Sequence, residues 1–181
     1  MRRLTTMAAA TLCAAFLLGS SVGPATTTEA ATSVACTRLG YFQDDSPSIV
    51  NPDVNFTYTT DTPATGNSWV HATIPGTIYN TISYSNSPYA PIGVGDVVKF
   101  TLNCVSGFEY YYSKAYNHGY AYVYANGVQV AVIDQYSATI QYQQHQYIPL
   151  PPGIVEVTIE GGNKNPAATD FYFDIDGIIP K

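Results

Sequence analysis

Tyrosine is the residue type with the clearest capacity for binding chemistry in this sequence. The chain contains 16 tyrosines, and Tyr120, Tyr122 and Tyr124 recur at every second position. A phenol ring offers a flat apolar face and a polar tip, which suits sugar rings as well as protein partners. Together with Gln129 as a hydrogen-bonding group, these tyrosines predict a ligand-binding face. The alternative is that they cover an outer sheet against water.

Histidines and carboxylates are too dispersed to predict a catalytic or zinc centre. His71, His118 and His145 lie in three separate segments, with no metalloprotease helix and no cysteine pair at zinc spacing. We expect them to be ordinary surface or turn histidines. A glycosidase needs two carboxylates about 5–10 Å apart across a cleft. The sequence provides no such pair. Glu156 and Glu160 alternate with Val155, Val157 and Ile159, which predicts a half-buried strand with the two acids on its exposed face.

The segment that carries the three tyrosines predicts a β-hairpin. Asn126-Gly127 separates two alternating apolar runs. This dipeptide favours a type I′ turn, because both central residues need φ > 0. The tyrosines would then share the outer face with Gln129, Ala131 and Ile133. The expected pairs on the buried aliphatic face are Ala125 with Val128, Val123 with Val130, and Ala121 with Val132.

The first 31 residues have the pattern of a secretory signal peptide. Arg2 and Arg3 precede an apolar run over 7–18, which is too short to span a bilayer, and small residues follow. Removing 1–31 leaves 32–181, about 150 residues, which suits one domain. We therefore expect a secreted protein that does not insert into membranes.

The charge of the mature chain argues against a nucleic-acid partner. Of the 7 basic residues the signal removes 2, and of the 13 acidic residues it removes 1, so the net charge is 5 minus 12, or −7. Nucleic-acid binding requires a basic patch, and no such patch is visible in the remaining sequence.

Cys36 and Cys104 are the two cysteines outside the predicted signal. In a secreted protein such a pair is most simply a disulfide, here closing a loop of about 68 residues. The alternative is lipidation of Cys36, which follows Ser33-Val34-Ala35, and it would leave Cys104 alone.

The rest of the mature chain reads as short strands separated by Pro-Gly, Asn-Pro and Gly-rich turns. Many short alternating runs with frequent turns, and no long helical period, predict an all-β antiparallel sandwich. The expected strands outside the hairpin are 54–60, 69–74, 77–84, 97–104, 108–112, 141–150, 154–160 and 171–178.

The second half of the chain resembles a known family. The runs that carry the resemblance are Asn117–Ala121, Val123-Tyr124, Val132–Asp134, Tyr136-Ser137, Tyr142–Gln144, Pro152-Gly153, Gly162–Pro166 and Phe173–Asp176. Their order and spacing over about 97–179 are similar to those of bacterial secreted galactose-binding-like jelly rolls and β-sandwich carbohydrate-binding modules. Tyr122 departs from this pattern, because the family often has a polar residue there.

The resemblance implies a jelly-roll domain whose partner is a glycan. Sites in such domains also lie in edge loops, here 113–119 and 162–169, which makes Tyr116 and Asn165 further candidates. Related sandwiches often hold a structural calcium near their chain ends, with oxygen ligands. Candidate ligands are Asp176, Asp44 and Asp45. No other cofactor is expected.

Three functions remain open on the sequence alone. The first is a secreted, non-catalytic carbohydrate-binding module. The second is a structural or adhesive surface protein that uses its tyrosine-rich face to bind a protein partner or a second copy of itself. A small hydrolase ranks third.

Overall fold

A computed structural model describes residues 35–43, 54–59, 69–85 and 96–181. The predicted signal peptide, 1–31, lies outside these ranges. Every predicted strand segment overlaps an observed strand, and the described residues contain one 3₁₀ turn, at Ile78–Asn80. The strands are β1 (Phe42–Gln43), β2 (Thr57–Thr59), β3 (Trp69–Thr73), β4 (Thr81–Ser85), β5 (Val97–Asn103), β6 (Gly107–Lys114), β7 (Tyr120–Ala125), β8 (Val128–Asp134), β9 (Gln141–Pro149), β10 (Ile154–Gly161), β11 (Asp174–Ile175) and β12 (Gly177–Pro180).

Within the described residues these strands form three sheets. Their orders are β1-β12-β6-β9, β2-β5-β10-β7-β8 and β11-β4-β3, and neighbouring strands are antiparallel. From β5 to β10 the chain crosses between the five-stranded and four-stranded sheets four times, at β5–β6, β6–β7, β8–β9 and β9–β10. The predicted all-β antiparallel jelly-roll sandwich is therefore confirmed. No helix in these ranges is long and apolar enough to cross a bilayer.

The core lies between the four-stranded and five-stranded sheets. In β10, Val155, Val157 and Ile159 are fully buried, whereas Ile154 and Glu156 are exposed, so the predicted alternation of faces is confirmed. A further link between the two layers is the edge-to-face contact of Phe100 in β5 with Phe108 in β6, whose ring centroids are 5.5 Å apart.

A disulfide joins the N-terminal arm to the end of β5. Cys36 and Cys104 are bonded, with a Cα–Cα distance of 5.2 Å, so the predicted pairing is confirmed. The Thr37 N–H donates to the Asn103 carbonyl at 3.1 Å, and the Asn103 N–H donates to the Thr37 hydroxyl oxygen at 2.9 Å. The cross-link spans 68 residues, and the chain-entropy model gives such a link about 4 kcal/mol of stabilisation.

The hairpin has the predicted turn. Asn126 has φ 49° and Gly127 has φ 79°, so both central residues are left-handed, as a type I′ turn requires. Ala121, Val123 and Ala125 are buried as expected.

The predicted register of the hairpin is wrong beyond its first two pairs. Ala125 pairs with Val128 and Tyr124 with Gln129, but Val123 pairs with Ala131 rather than Val130. The extra residue is a β-bulge, and a bulge moves every later side chain to the opposite face. Further along the two strands, Tyr122 pairs with Val132 and Ala121 pairs with Ile133.

Because of the bulge, two residues expected on the buried face of β8 are exposed, and Ile133, expected on the exposed face, is buried. Ile133 is 1% exposed and belongs to the core, whereas Val130 and Val132 are 36% and 48% exposed. Val128 is 67% exposed although it pairs with a buried alanine. The outer face of the hairpin therefore carries valines beside its tyrosines.

Candidate functional site

Asp174 lies at the base of a cleft where β11 meets the end of β6. It alternates along the sequence with Phe173 and Ile175, yet it is itself only 2% exposed. One carboxylate oxygen, Oδ1, accepts a hydrogen bond from the Ser113 backbone N–H at 2.7 Å. The other, Oδ2, lies 3.1 Å from His118 Nε2. Burial of the carboxylate is thus compensated by charge-assisted hydrogen bonds.

Gln135 fixes the backbone of Asp174 from behind the cleft. This fully buried amide accepts a hydrogen bond from the Asp174 N–H at 2.9 Å and donates to the Asp174 carbonyl at 3.0 Å. Tyr110, also fully buried, donates its hydroxyl to the same carbonyl. Burial, followed by the nearby Asp174 carboxylate, raises the pKa of Tyr110 well above its ordinary value. The phenol therefore stays protonated, and the base of the cleft is rigid.

His118 departs from the expected surface or turn histidine. It follows a turn after β6, in which its N–H donates to the Ala115 carbonyl at 3.2 Å, and it is only 8% exposed. Its ring Nδ1 lies 2.9 Å from Asn117 Oδ1, and its Nε2 faces Asp174. Both ring nitrogens are therefore engaged. His71 and His145 are exposed, as expected.

Ser113, His118 and Asp174 are neighbours but do not form a nucleophilic triad. In such a triad the histidine bridges the serine hydroxyl and the carboxylate, whereas here the second ring nitrogen faces Asn117. The hydroxyl of Ser113 is buried and has no hydrogen-bond partner among the described residues. Leaving such a group unsatisfied costs about 1–3 kcal/mol.

Tyrosines form much of the wall of this cleft, which has a volume of about 330 Å³. Tyr84 and Tyr172 are in edge-to-face contact with centroids 6.4 Å apart, and Tyr116 is 51% exposed. Burial, followed by Asp170, raises the pKa of Tyr172 above its ordinary value, which keeps this phenol neutral. We call this site the Asp174 cleft; its lining residues are Tyr84, Tyr116, Tyr142, Tyr172, Ile74, Ile82, Ile140, Ser113, Ala115, Asn117, His118 and Asp174.

The predicted tyrosine face lies elsewhere, on the outer surface of the five-stranded sheet. Tyr120, Tyr122 and Tyr124 are half-buried. A Cβ atom at Gly162 would lie 2.7 Å from the Tyr122 ring, so glycine is required for this close approach. Burial, followed by Glu160, raises the pKa of Tyr124. The row is thus partly covered rather than a fully open platform.

The other predicted ligand-binding residues lie in three different regions of the fold. Tyr116 belongs to the Asp174 cleft, and Gln129 is exposed opposite Tyr124 on the hairpin. Asn165 is 9% exposed and donates to Asp134 Oδ2 at 2.7 Å. Its own Oδ1 accepts from the Ala167 N–H at 2.9 Å, so its amide shapes the loop.

The calcium prediction concerns Asp176, which is fully buried. Its Oδ2 accepts a hydrogen bond from the Ile78 N–H at 2.9 Å, and its Oδ1 lies 3.5 Å from the Tyr41 hydroxyl. Within the described residues no three acidic, histidine or cysteine side chains converge. Asp44 and Asp45 lie outside those residues. N–H and O–H donors around Asp176 do not fit a calcium ligand set, and calcium binding stays a prediction.

Two residues at the base of the cleft, Gln135 and Asp174, are absent from the predicted ligand-binding residues, whereas Ser113 begins the predicted edge loop 113–119, which contributes several lining residues. Asp174 and its partner His118 both lie in runs that carry the family resemblance, at Phe173–Asp176 and Asn117–Ala121. Those runs are the signal that could have identified them.

Comparisons with known proteins give weak structural likenesses. No protein-family model and no curated protein sequence matches the chain. A Paenibacillus xanthan lyase has a TM-score of 0.48 and 17% identity, over 71% of this chain and 12% of that one. An exo-β-1,3-galactanase from Phanerochaete chrysosporium, with β-1,3-galactotriose, has a TM-score of 0.44 and 16% identity, over 82% of this chain and 30% of that one.

A third similar structure is the carbohydrate-binding module CBM36 in complex with calcium and xylotriose. Its TM-score is 0.41 and its identity 14%, over 70% of this chain and 99% of that one. The chain spans less than a third of the lyase and galactanase chains. These TM-scores lie below 0.5, so the three structures indicate no function for this chain.

Proposed function

We propose that this protein is a secreted, non-catalytic module that binds a neutral glycan in the Asp174 cleft. The observation that carries the proposal is the combination of tyrosine walls with a buried, rigid polar base. Ligand sites of this kind are concave and mostly apolar, with a few fixed polar groups that orient the ligand.

The two kinds of lining group match the two kinds of surface on a sugar. The C–H faces of a pyranose can stack on Tyr116 or Tyr172, and its hydroxyls can bond to the phenol groups of these tyrosines and to Asn117, which also line the cleft. Stacking of ~1 kcal/mol per ring, with a few hydrogen bonds, gives a dissociation constant near the micromolar-to-millimolar boundary.

The charge of the cleft favours a neutral glycan over an acidic one. Among the described residues that line the cleft, Asp174 is the acidic one, and none is a lysine or an arginine. A uronic acid or sulfated sugar would meet the Asp174 side chain with no lysine or arginine beside it to offset the added negative charge, which is unfavourable in a site of low dielectric constant.

Secretion is supported by two features. The sequence 1–31 has the pattern of a signal peptide. The Cys36–Cys104 disulfide is of the kind that persists in oxidising compartments.

Retention on a panel of insoluble plant, fungal and bacterial polysaccharides tests the proposal. Wild type should be retained on at least one neutral polysaccharide, and Tyr116→Ala should lose most of that retention. A matched control is Tyr147→Ala, because Tyr147 is 44% exposed on β9 outside the cleft; it should bind as wild type does.

Two results would contradict the proposal. Retention on no member of the panel would reject glycan binding itself. Retention that is lost in Tyr122→Ala but kept in Tyr116→Ala would instead place the site on the outer hairpin face.

A further inference from the structure

Among the described residues, β8 is an edge strand of the five-stranded sheet. It is the last strand in the order β2-β5-β10-β7-β8, so among the described residues its ladder partner is β7 alone. An edge strand presents unpaired N–H and C=O groups, which can bind another strand. Natural proteins usually protect such edges with lysine, proline or a bulge.

The side chains of β8 protect this edge little. From Val128 to Ile133 the strand contains no charged residue and no proline, and Val128, Val130 and Val132 are all exposed. The edge strand of the four-stranded sheet, β9, differs in composition. Most of its exposed residues are polar, and the last one is a proline at the end of the strand. They are Gln141, Gln143, His145, Gln146, Tyr147 and Pro149.

The bulge makes the outer face beside this edge apolar. Because Val132 pairs with Tyr122, the two side chains share the outer face. Val130 is the extra residue beside the Tyr124–Gln129 pair. Aliphatic valines offer nothing to sugar hydroxyls, whereas valines beside tyrosines suit contact with another protein.

We propose that β8 pairs with β8 of a second copy of this chain, antiparallel and about a two-fold axis. The N–H and C=O groups along one edge strand can pair with those of an identical edge strand. A two-fold axis brings the same strand of both copies together. The whole chain has a net charge of −6, so copies repel elsewhere, but the segment from Val128 to Ile133 is uncharged.

The position of Asp134 selects the antiparallel arrangement. Asp134 is the charged residue at the C-terminal end of β8. Antiparallel pairing places the two Asp134 carboxylates at opposite ends of the interface, whereas parallel pairing would place them side by side. Like charges directly opposite each other across a ladder are destabilising.

The bulge limits the strength of this dimer. Regular pairing is available from Ala131 to Asp134, beyond the extra residue Val130. A contact of this length, with the neighbouring valine side chains, lies at the small end of specific interfaces. The dimer is therefore weak and depends on protein concentration.

Sedimentation velocity over a concentration series from micromolar to millimolar tests this interface. The weight-average sedimentation coefficient of wild type should rise with concentration. Val132→Lys should remain monomeric throughout, because a lysine charge opposes edge pairing. The matched control is Ile154→Lys, at a residue 53% exposed on β10, which should dimerise as wild type does.

A second substitution and circular dichroism guard against a folding defect. Val130→Lys should also be monomeric, and both β8 variants should retain the wild-type spectrum. Wild type that stays monomeric at every concentration would overturn the proposal. So would a dimer that survives both β8 substitutions in folded protein, or one that is also lost in Ile154→Lys. Tyr116→Ala should dimerise normally, which separates this interface from the glycan proposal.

Discussion

The Asp174 cleft and the outer face of the hairpin are both rich in tyrosine, but they differ in what surrounds the rings. In the cleft, Asp174, His118 and Ser113 form a buried polar base. On the hairpin, Tyr122 and Tyr124 lie beside Val130 and Val132, which are exposed. The same residue type therefore serves two environments.

This difference indicates two kinds of contact. Fixed polar groups inside a concavity orient a small polar ligand, whereas an apolar strip along an open strand suits another protein chain. Counting tyrosines alone does not distinguish the two regions; the residues between and beneath the rings do.

The pH dependence of the free energy of unfolding should show that the Asp176 carboxyl is buried in the folded protein. Burial, with a smaller contribution from Asp174, raises the pKa of Asp176 from 3.8 to about 7. Below pH 4 the carboxyl is protonated in both states. Between pH 4 and 7 the unfolded chain releases this proton more readily than the folded chain, so the free energy of unfolding falls as pH rises.

Asp176→Asn should remove this fall, which is up to about 4 kcal/mol at about 1.4 kcal/mol per pKa unit. The measurement is urea unfolding of both proteins at pH 4.5 and 7.5. Glu156→Gln, at an exposed position on β10, should keep the wild-type slope. Equal slopes for wild type and Asp176→Asn would show that Asp176 is ionised in the folded protein at low pH.

Removal of the carboxylate at the base of the cleft should also be costly. Asp174→Ala leaves the Ser113 N–H and His118 without their buried acceptor. We expect a loss of about 3 kcal/mol in the free energy of unfolding, measured in urea. Glu156→Ala, on the exposed face of β10, should change it by less than about 0.5 kcal/mol. Similar values for the two variants would argue against a structured polar base.

The hairpin turn should be sensitive to backbone strain. Gly127 has φ 79°, where a β-branched residue is strained, although a Cβ there would meet nothing within 4 Å. Gly127→Val should therefore destabilise the fold by about 1–3 kcal/mol through the backbone alone. Gly127→Asn should cost less, because asparagine tolerates this region. A wild-type urea midpoint for Gly127→Val would exclude the left-handed turn.

The exposed valines of β8 should contribute least to the stability of the monomer. Val128→Thr and Val132→Thr should each change the free energy of unfolding by less than about 0.5 kcal/mol in dilute protein, because the side chains are mostly exposed. Ile133→Thr, in the same strand but 1% exposed, should cost several times more. Equal losses at Val132 and Ile133 would contradict the bulged register.

The sequence predicts the elements that depend on local pattern. Alternation of apolar residues identifies β10 and its faces, Asn126-Gly127 identifies the turn, and the remaining cysteine pair identifies the disulfide. Each of these depends on neighbouring residues or on simple counting, and each is confirmed.

Features that depend on long-range packing could not be predicted in the same way. The bulge at Val130 has no glycine or proline to mark it, so alternation places Val132 inside and Ile133 outside. Asp174 alternates with apolar neighbours, and this local pattern does not indicate that its side chain is buried. It is buried because β6 and the turn containing His118 provide hydrogen bonds from a distant part of the chain.

The most direct test of the glycan site is amide chemical-shift mapping by NMR. A neutral oligosaccharide, from a polysaccharide that retains the protein, is titrated into ¹⁵N-labelled protein at low concentration. The largest shifts should fall on Ser113–His118 and Tyr172–Asp174, which border the cleft. Shifts confined to Tyr120–Val132, with the cleft amides unchanged, would contradict the central claim.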